Sequence, residues 1–204
     1  MALGASFAGN LAATSTSGPG LALKGEALGL AVMAELPLVV IDVQRGGPST
    51  GLPTKTEQTD LLQALYGRNG ESPAVVMAAS SPVNCFDSAY WASKIALEHI
   101  VPVILLTDSY IANGSSAWRI PELENYPPII PHDITQFKGE KWGAYERDEE
   151  TFARYWAGAG SEGYTHRDGG LEKDYKTGAI STAPANHQEM VNIRQQKVDK
   201  IADY

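Results

Sequence analysis

Leu38-Val39-Val40-Ile41-Asp42-Val43-Gln44-Arg45-Gly46-Gly47-Pro48-Ser49-Thr50-Gly51 is an apolar run that stops abruptly at a cation and a polar, glycine-rich loop. Residues 38–43 do not alternate between apolar and polar, as a strand with one wet face would. They read as a strand buried on both faces, which points to a parallel sheet covered by helices. Arg45 then stands where the strand leaves the sheet, at the carboxyl edge where open α/β sheets bind ligands.

Two further runs share the pattern, at residues 74–78 and 102–107, each bounded by proline or polar turn residues. Helical spacing falls between them at 57–66, with Thr56 as the expected cap and Gly67 as the stop, and at 86–99. Upstream, residues 11–16 read as a short strand and 21–35 as one helix rich in Ala, Gly and Leu. This alternation predicts right-handed crossovers and a three-layer α/β/α sandwich around a mainly parallel sheet. Residues 1–9 look helical but carry no cap, so the expectation is a chain that starts inside a helix, with an N-terminal strand and loop missing.

The expected organisation is an α/β domain over 1–138, an irregular appendage over 139–186, and a helix over 187–204 leading to a further domain. Pro121, Pro127, Pro128 and Pro131 exclude a continuous helix at 120–132 and favour an extended crossing segment. Residues 139–185 are polar, aromatic and glycine-dotted without a sustained period, and read as either an ordered appendage or a long connection.

The 204 residues carry a formal net charge of -8, which opposes a general nucleic-acid or anionic-membrane surface. No apolar run approaches the roughly 20 residues of a bilayer span, and no secretory leader pattern is present, so a cytoplasmic protein is expected. Cys85 is the single cysteine. An intrachain disulfide, a cysteine-rich zinc site and an iron–sulfur cluster are thereby excluded from the sequence, and any electron carrier must sit on another chain.

Thr14-Ser15-Thr16-Ser17-Gly18-Pro19-Gly20 ends the first expected strand. Ser17, Gly18, Pro19 and Gly20 turn the chain sharply and bring backbone amides to the start of the next helix; the turn is either a ligand site or a plain strand-to-helix connection. Arg45 has the planar fork that holds a carboxylate through two hydrogen bonds, as a 2-oxoacid demands, or else it pairs with Glu57 or Asp60 as an ordinary surface arginine. Ser49, Thr50, Thr54 and Thr56 supply hydroxyls nearby. Cys85 at a helix start is either a thiol of lowered pKa or a structural cysteine. Asp42 and Asp108 at strand ends are metal or ligand groups, or caps and turn residues. His166-Arg167-Asp168-Gly169-Gly170 either reaches over a neighbouring pocket or forms a solvated turn. Trp118, Trp142 and Trp156 read as packing between appendage and domain. His99, His132, His166 and His187 show no metal-ligand spacing.

TSTSGPGLAL (14–23), VQRGGPSTGLPTKT (43–56), PVILLTD (102–108) and HRDGGLEKDYKTG (166–178) together resemble the alpha subunit of 2-oxoacid:ferredoxin oxidoreductases, most closely the 2-oxoglutarate:ferredoxin type. The resemblance covers essentially the whole chain. It implies the pyrimidine domain of the thiamine-diphosphate-binding fold, in an enzyme that oxidatively decarboxylates a 2-oxoacid, passes the acyl group to coenzyme A and delivers electrons to ferredoxin. A partner beta subunit is implied to carry the diphosphate, magnesium and an iron–sulfur cluster, with thiamine diphosphate shared between subunits.

On that resemblance Arg45 binds the substrate carboxylate, Thr54 lies near the same substrate, and Ser17, Gly18, Pro19 and Gly20 lie near the cofactor. The family's glutamate that activates the aminopyrimidine has no counterpart here. An internal piece of a longer subunit is therefore expected, inactive in isolation, because losing such a group costs about 10²- to 10⁴-fold in rate. Pyruvate or another 2-oxoacid is the alternative substrate. A catalytically silent module that binds a beta subunit is the alternative role, and a homodimer is the partner considered for the isolated chain.

Overall fold

The computed structural model describes residues 1–204. Four strands, β1 (Ala13–Thr16), β2 (Leu38–Gln44), β3 (Val75–Ala78) and β4 (Pro102–Asp108), form one sheet in the order β1-β2-β4-β3, and every pairing is parallel. The two unbroken apolar runs are the two central strands, joined in register from Leu38 opposite Pro102 to Gln44 opposite Asp108. Their alternate side chains feed different cores, which is why neither shows a polar face.

One core holds Leu38, Val40, Ile104 and Leu106 from the sheet with Leu21, Leu28, Ala31 and Ala64 from helices α2 (Gly18–Leu23), α3 (Gly25–Met33) and α4 (Leu61–Tyr66). Helix α1 (Ala2–Phe7) packs Ala2 and Leu3 against it, and the buried Ser6 hydroxyl donates to Pro37 O at 2.6 Å. The other core holds Val39 and Val103 with Ala92, Ile95 and Ala96 of α5 (Asn84–His99) and Ile201 of α7 (Pro184–Ile201). Each fully buried aliphatic side chain contributes roughly 1.5–3 kcal/mol, so the two layers are the main drivers of the fold. The outward steps β1 to β2 and β2 to β3 run under the α2–α4 layer, and the return step to β4 runs under α5. All three crossovers thus have the same hand, as a twisted parallel sheet requires.

The helix expected over 21–35 is two helices, α2 starting at Gly18 and α3 at Gly25, broken at Lys24. The helix expected from residue 57 starts at Leu61, because the residues before it are engaged by the sheet rim: Gln58 Nε2 donates to Asp108 Oδ2 at 2.5 Å and Asp60 N to Gln44 Oε1 at 3.0 Å. Thr56 is accordingly no cap.

After α6 (Ser109–Asn113), the proline-rich stretch runs along α5, extended as expected except for one 3-10 turn at Leu123–Asn125. Lys94 Nζ donates to Pro128 O at 3.1 Å, Ile130 N to Glu98 Oε1 at 2.8 Å and His132 N to Leu97 O at 3.0 Å.

Residues 139–183 form an ordered appendage with isolated bridges only, held by a buried ionic cluster at the amino ends of the strands. Helix α3 closes with Glu35 N donating to Val32 O and Leu36 N to Ala31 O, a left-handed cap with Glu35 at φ 48° where glycine is usual. The Glu35 carboxylate explains the departure. It receives Arg147, and Lys197 Nζ of α7 at 2.9 Å. Arg154, fully buried, donates to Ala34 O at 3.1 Å, Glu35 O at 3.3 Å and Asp168 Oδ2 at 2.9 Å, while Lys173 Nζ donates to Met33 O at 3.0 Å. The orphan carbonyls at the end of α3 are therefore capped by cations from the appendage. No helix is long and apolar enough to cross a membrane.

Candidate functional site

The carboxyl ends of β1 and β2 carry the two turns that open the candidate site. Between them lies a cavity of about 540 Å³ lined by Gly18, Pro19, Arg45, Ser49, Glu57, Asp60 and Gln63, with Ala22, Gly47, Pro48 and Thr59. It stands beside β1 and β2, not over the step from β2 to β4. There Gln58 bonds Asp108, and Gln44 Nε2 donates to Thr107 O at 3.2 Å, so polar side chains fill the space.

Arg45 follows directly on β2 and is exposed toward this cavity. The surface-pair alternative does not hold: Glu57 Oε2 accepts Gly47 N at 2.9 Å, Asp60 sits under the first turn, and no carboxylate in the chain pairs with Arg45. A free guanidinium in a recess whose other charges are two carboxylates is suited to one incoming carboxylate.

The Arg45 loop is shaped by residues in the left-handed region: Ser49 at φ 56°, Gly51 at φ 47° and Thr54 at φ 54°. A side chain at Gly51 would overlap Gly46 O, and Gly46 N in turn donates to Lys55 O at 2.8 Å. The loop thus folds back on itself and presents Arg45 and Ser49 to the cavity. Thr54 is exposed and does not line the cavity.

In the first turn, Gly18 and Pro19 line the cavity, whereas Ser17 and Gly20 do not. Gly20 is required for packing, since a Cβ there would overlap Thr16 Oγ1; at Gly18 a Cβ would lie 2.7 Å from both Asp60 carboxylate oxygens. Gln63 Nε2 donates to Gly18 O at 3.1 Å and ties the turn to α4.

Gln44, Gln58, Asp60 and Gln63 are the functional residues that sequence reading missed as a locking set. The available signal was the polar Gln44 at the end of an otherwise apolar strand; it is buried and bonds across the rim in both directions. Asp108 caps α6, accepting Tyr110 N at 2.8 Å and Ile111 N at 2.9 Å, which holds its carboxyl below the usual carboxylate range despite desolvation. Asp42 is neither cap nor turn residue. It lies within β2, fully buried, with no donor to either oxygen.

Cys85 is not activated: burial, then the nearby Asp108 charge, pushes its thiol up, and Sγ lies 3.5 Å from Ser81 O. His99 is buried, and desolvation followed by repulsion from Lys197 pulls it down to about 4, so it is neutral at pH 7. His132 stacks on Tyr155. No group of three or more His, Cys, Asp or Glu is arranged to hold a metal ion.

The glycine-rich loop at His166 does not line this cavity; Arg167, Gly169 and Gly170 are exposed, as a solvated turn would be, while Asp168 is drawn inward. His166 Nδ1 lies 2.8 Å from Tyr164 O, its ring meets Trp142 edge-on, and Asp168 pairs with the buried Arg154 at the amino ends of the strands. A strand's length, roughly 20 Å, separates the two poles. Trp156 packs with Ile100 and Ala153 as the appendage reading expected, while Trp118 lies half exposed against Phe86.

Residues 1–183 match the family model described as pyruvate flavodoxin/ferredoxin oxidoreductase, thiamine diP-binding. Among curated relatives, the 2-oxoglutarate oxidoreductase subunit KorA of Mycobacterium tuberculosis is 60% identical over 200 residues, covering 98% of this chain and 30% of that protein. The 2-oxoglutarate synthase subunit KorA of Methanothermobacter marburgensis is 33% identical, covering 98% of this chain and 53% of that protein. A solved structure, the 2-oxoglutarate:ferredoxin oxidoreductase from Magnetococcus marinus with 2-oxoglutarate, coenzyme A and succinyl-CoA bound, superposes with a TM-score of 0.89 at 37% identity. It covers 100% of this chain and 35% of that one. The chain thus spans between about a third and a half of the length of these proteins.

Proposed function

Because the chain belongs to the thiamine-diphosphate-binding family of pyruvate flavodoxin/ferredoxin oxidoreductases, we propose that it is the pyrimidine-side domain of the alpha subunit of a 2-oxoglutarate:ferredoxin oxidoreductase. The parent assembly oxidatively decarboxylates 2-oxoglutarate, transfers the succinyl group to coenzyme A and passes electrons to ferredoxin. The observation that carries this reading is the unpaired Arg45, which lines the same cavity as Gly18 and Pro19. The names of the two relatives and the ligands in the Magnetococcus marinus structure support 2-oxoglutarate over pyruvate as substrate.

The cavity residues fit part of the cofactor. A recess with one cation, two carboxylates and a Gly-Pro turn in its wall suits a neutral heterocycle beside one carboxylate. It does not suit a diphosphate with magnesium, which needs several cationic or amide donors. We therefore assign the diphosphate, the magnesium and the iron–sulfur cluster to a beta subunit. Gly18 and Pro19 present main chain to the aminopyrimidine side, with Ser17 and Gly20 shaping that turn. Thiamine diphosphate, when bound, supplies the electron sink for loss of CO₂ from a 2-oxoacid.

Arg45 holds the substrate's 1-carboxylate, and the Ser49 hydroxyl lines the same recess. Thr54 acts on substrate only if the loop crest turns inward in the assembly. The test is turnover of the complete alpha subunit co-produced with its beta subunit, given coenzyme A, ferredoxin and either 2-oxoglutarate or pyruvate. Succinyl-CoA formed well above acetyl-CoA is expected; the reverse preference overturns the substrate, and complex formation without turnover of any 2-oxoacid overturns the catalytic reading.

A further inference from the structure

We infer that the buried Asp42 carboxyl is the donor to the carboxylate of Asp60, forming an acid–carboxylate clasp that positions the Gly18 turn and the Arg45 loop as one unit. Both Asp42 oxygens and Asp60 Oδ2 are buried without a donor; Asp42 shares a face of β2 with Gln44, whose Oε1 accepts Asp60 N at 3.0 Å, so the two carboxyl groups are held as neighbours. Two ionised carboxylates facing each other in such a place would each lack a donor and would repel. One proton converts Asp42 into the missing donor.

No charged side chain of the neighbouring elements serves the pair. β1 (Ala-Thr-Ser-Thr) and α2 (Gly-Pro-Gly-Leu-Ala-Leu) carry no titratable side chain. The only one on β4, Asp108, is engaged by Gln58, Tyr110 N and Ile111 N. Glu26 of α3 and Tyr66 of α4 make no bond to the pair, and Arg45 and Glu57 stand at the cavity wall. Burial first, then the Asp60 charge, pushes the Asp42 carboxyl up to about 7.

The clasp joins three elements at one point. Asp42 belongs to β2, Asp60 N is held by Gln44 Oε1, and both Asp60 oxygens occupy the space a Cβ on Gly18 would fill. The backbone that carries Arg45 and the turn that carries Pro19 are therefore set by one carboxyl pair. Asp42 and Asp60 are positioning residues, and the clasp stands whether or not the substrate assigned above is right.

A folded-state pKa raised from 3.8 to about 7 means the folded chain binds more protons than the unfolded one between those values. Its stabilising effect is complete below about pH 4 and is lost as pH rises through about 7. Asp42→Asn supplies a permanent donor, so this variant should melt above wild type at about pH 8, with the gain shrinking as pH falls through about 5 and gone below about pH 4, and Asp42→Leu should show no such gain. Infrared spectra of the wild-type chain at about pH 6, well above the ordinary carboxylate range, should show a protonated-carboxyl C=O band that Asp42→Asn removes. His99 titrates in both proteins and cancels in the comparison. A pH-independent loss of stability in Asp42→Asn overturns the clasp. Should that variant fail to fold, the wild-type band alone decides, and its absence overturns the inference.

Discussion

Replacing Glu35 with Gln tests the claim that the appendage is part of the fold. The carboxylate is almost wholly buried and is shared by Arg147 and Lys197 Nζ, so the amide leaves two buried cations without their anion. Desolvation alone would raise the Glu35 pKa, but Arg147, Lys197 and Arg154 more than offset it and bring it from 4.5 down to about 2. At 1.36 kcal/mol per pH unit this depression corresponds to about 3 kcal/mol. The same burial pulls Lys197 down in spite of its partner, so desolvation consumes part of the gain and the low end of the roughly 3–5 kcal/mol expected for breaking a buried pair applies.

For a chain of this size, about 3 kcal/mol lowers the melting temperature by roughly 6–12 °C. Thermal unfolding by circular dichroism at neutral pH reads it directly. Because the folded pKa is depressed, the pair's contribution is fully present above about pH 4.5 and is lost as pH falls through about 2, so the wild-type advantage over Glu35→Gln must shrink in acid. Adding Lys197→Met to Glu35→Gln should restore part of the loss. A melting temperature within about 2 °C of wild type at neutral pH would refute the reasoning.

Lys173→Met removes the donor from Met33 O and should destabilise by about 1–3 kcal/mol, measured by urea unfolding, with increased amide exchange in the last turn of α3. Gly51→Ala forces a Cβ onto Gly46 O; in the assembled enzyme it should raise KM for the 2-oxoacid several-fold while leaving the melting temperature of the chain within about 4 °C. Gly20→Ala overlaps Thr16 Oγ1 and should destabilise strongly, whereas Gly20→Ala combined with Thr16→Ala should recover much of the loss, giving a coupling of about 1–2 kcal/mol in a double-mutant cycle.

The sheet was legible because β2 and β4 are covered on both faces, and burial on both faces leaves a local mark in sequence as an unbroken apolar run. Arg45 was legible for the same reason, since a charge ending such a run must emerge at the rim. The start of α4 was not, because Gln58 and Asp60 are held by residues 50 and 16 positions away, which local spacing does not record. The appendage was opaque for the same cause at longer range: Arg154 caps α3 from 119 and 120 residues away. Its glycine-rich His166 loop was therefore left between a reach over a pocket and a solvated turn, and neither reading contained the pairing of Asp168 with a buried arginine. The Asp42–Asp60 contact left only the faint sign of an acid inside an apolar strand.

The measurement that bears most directly on the site is steady-state 2-oxoglutarate oxidation by the proposed alpha–beta assembly with Arg45 replaced by Ala and, separately, by Lys. Losing a charge-assisted, two-point grip on a carboxylate costs about 1.5–3 kcal/mol, so kcat/KM should fall roughly 10- to 150-fold in Arg45→Ala, with partial recovery in Arg45→Lys. Unchanged kcat/KM in both variants, with the assembly intact, would contradict the assignment of this cavity as the place where the oxoacid is held.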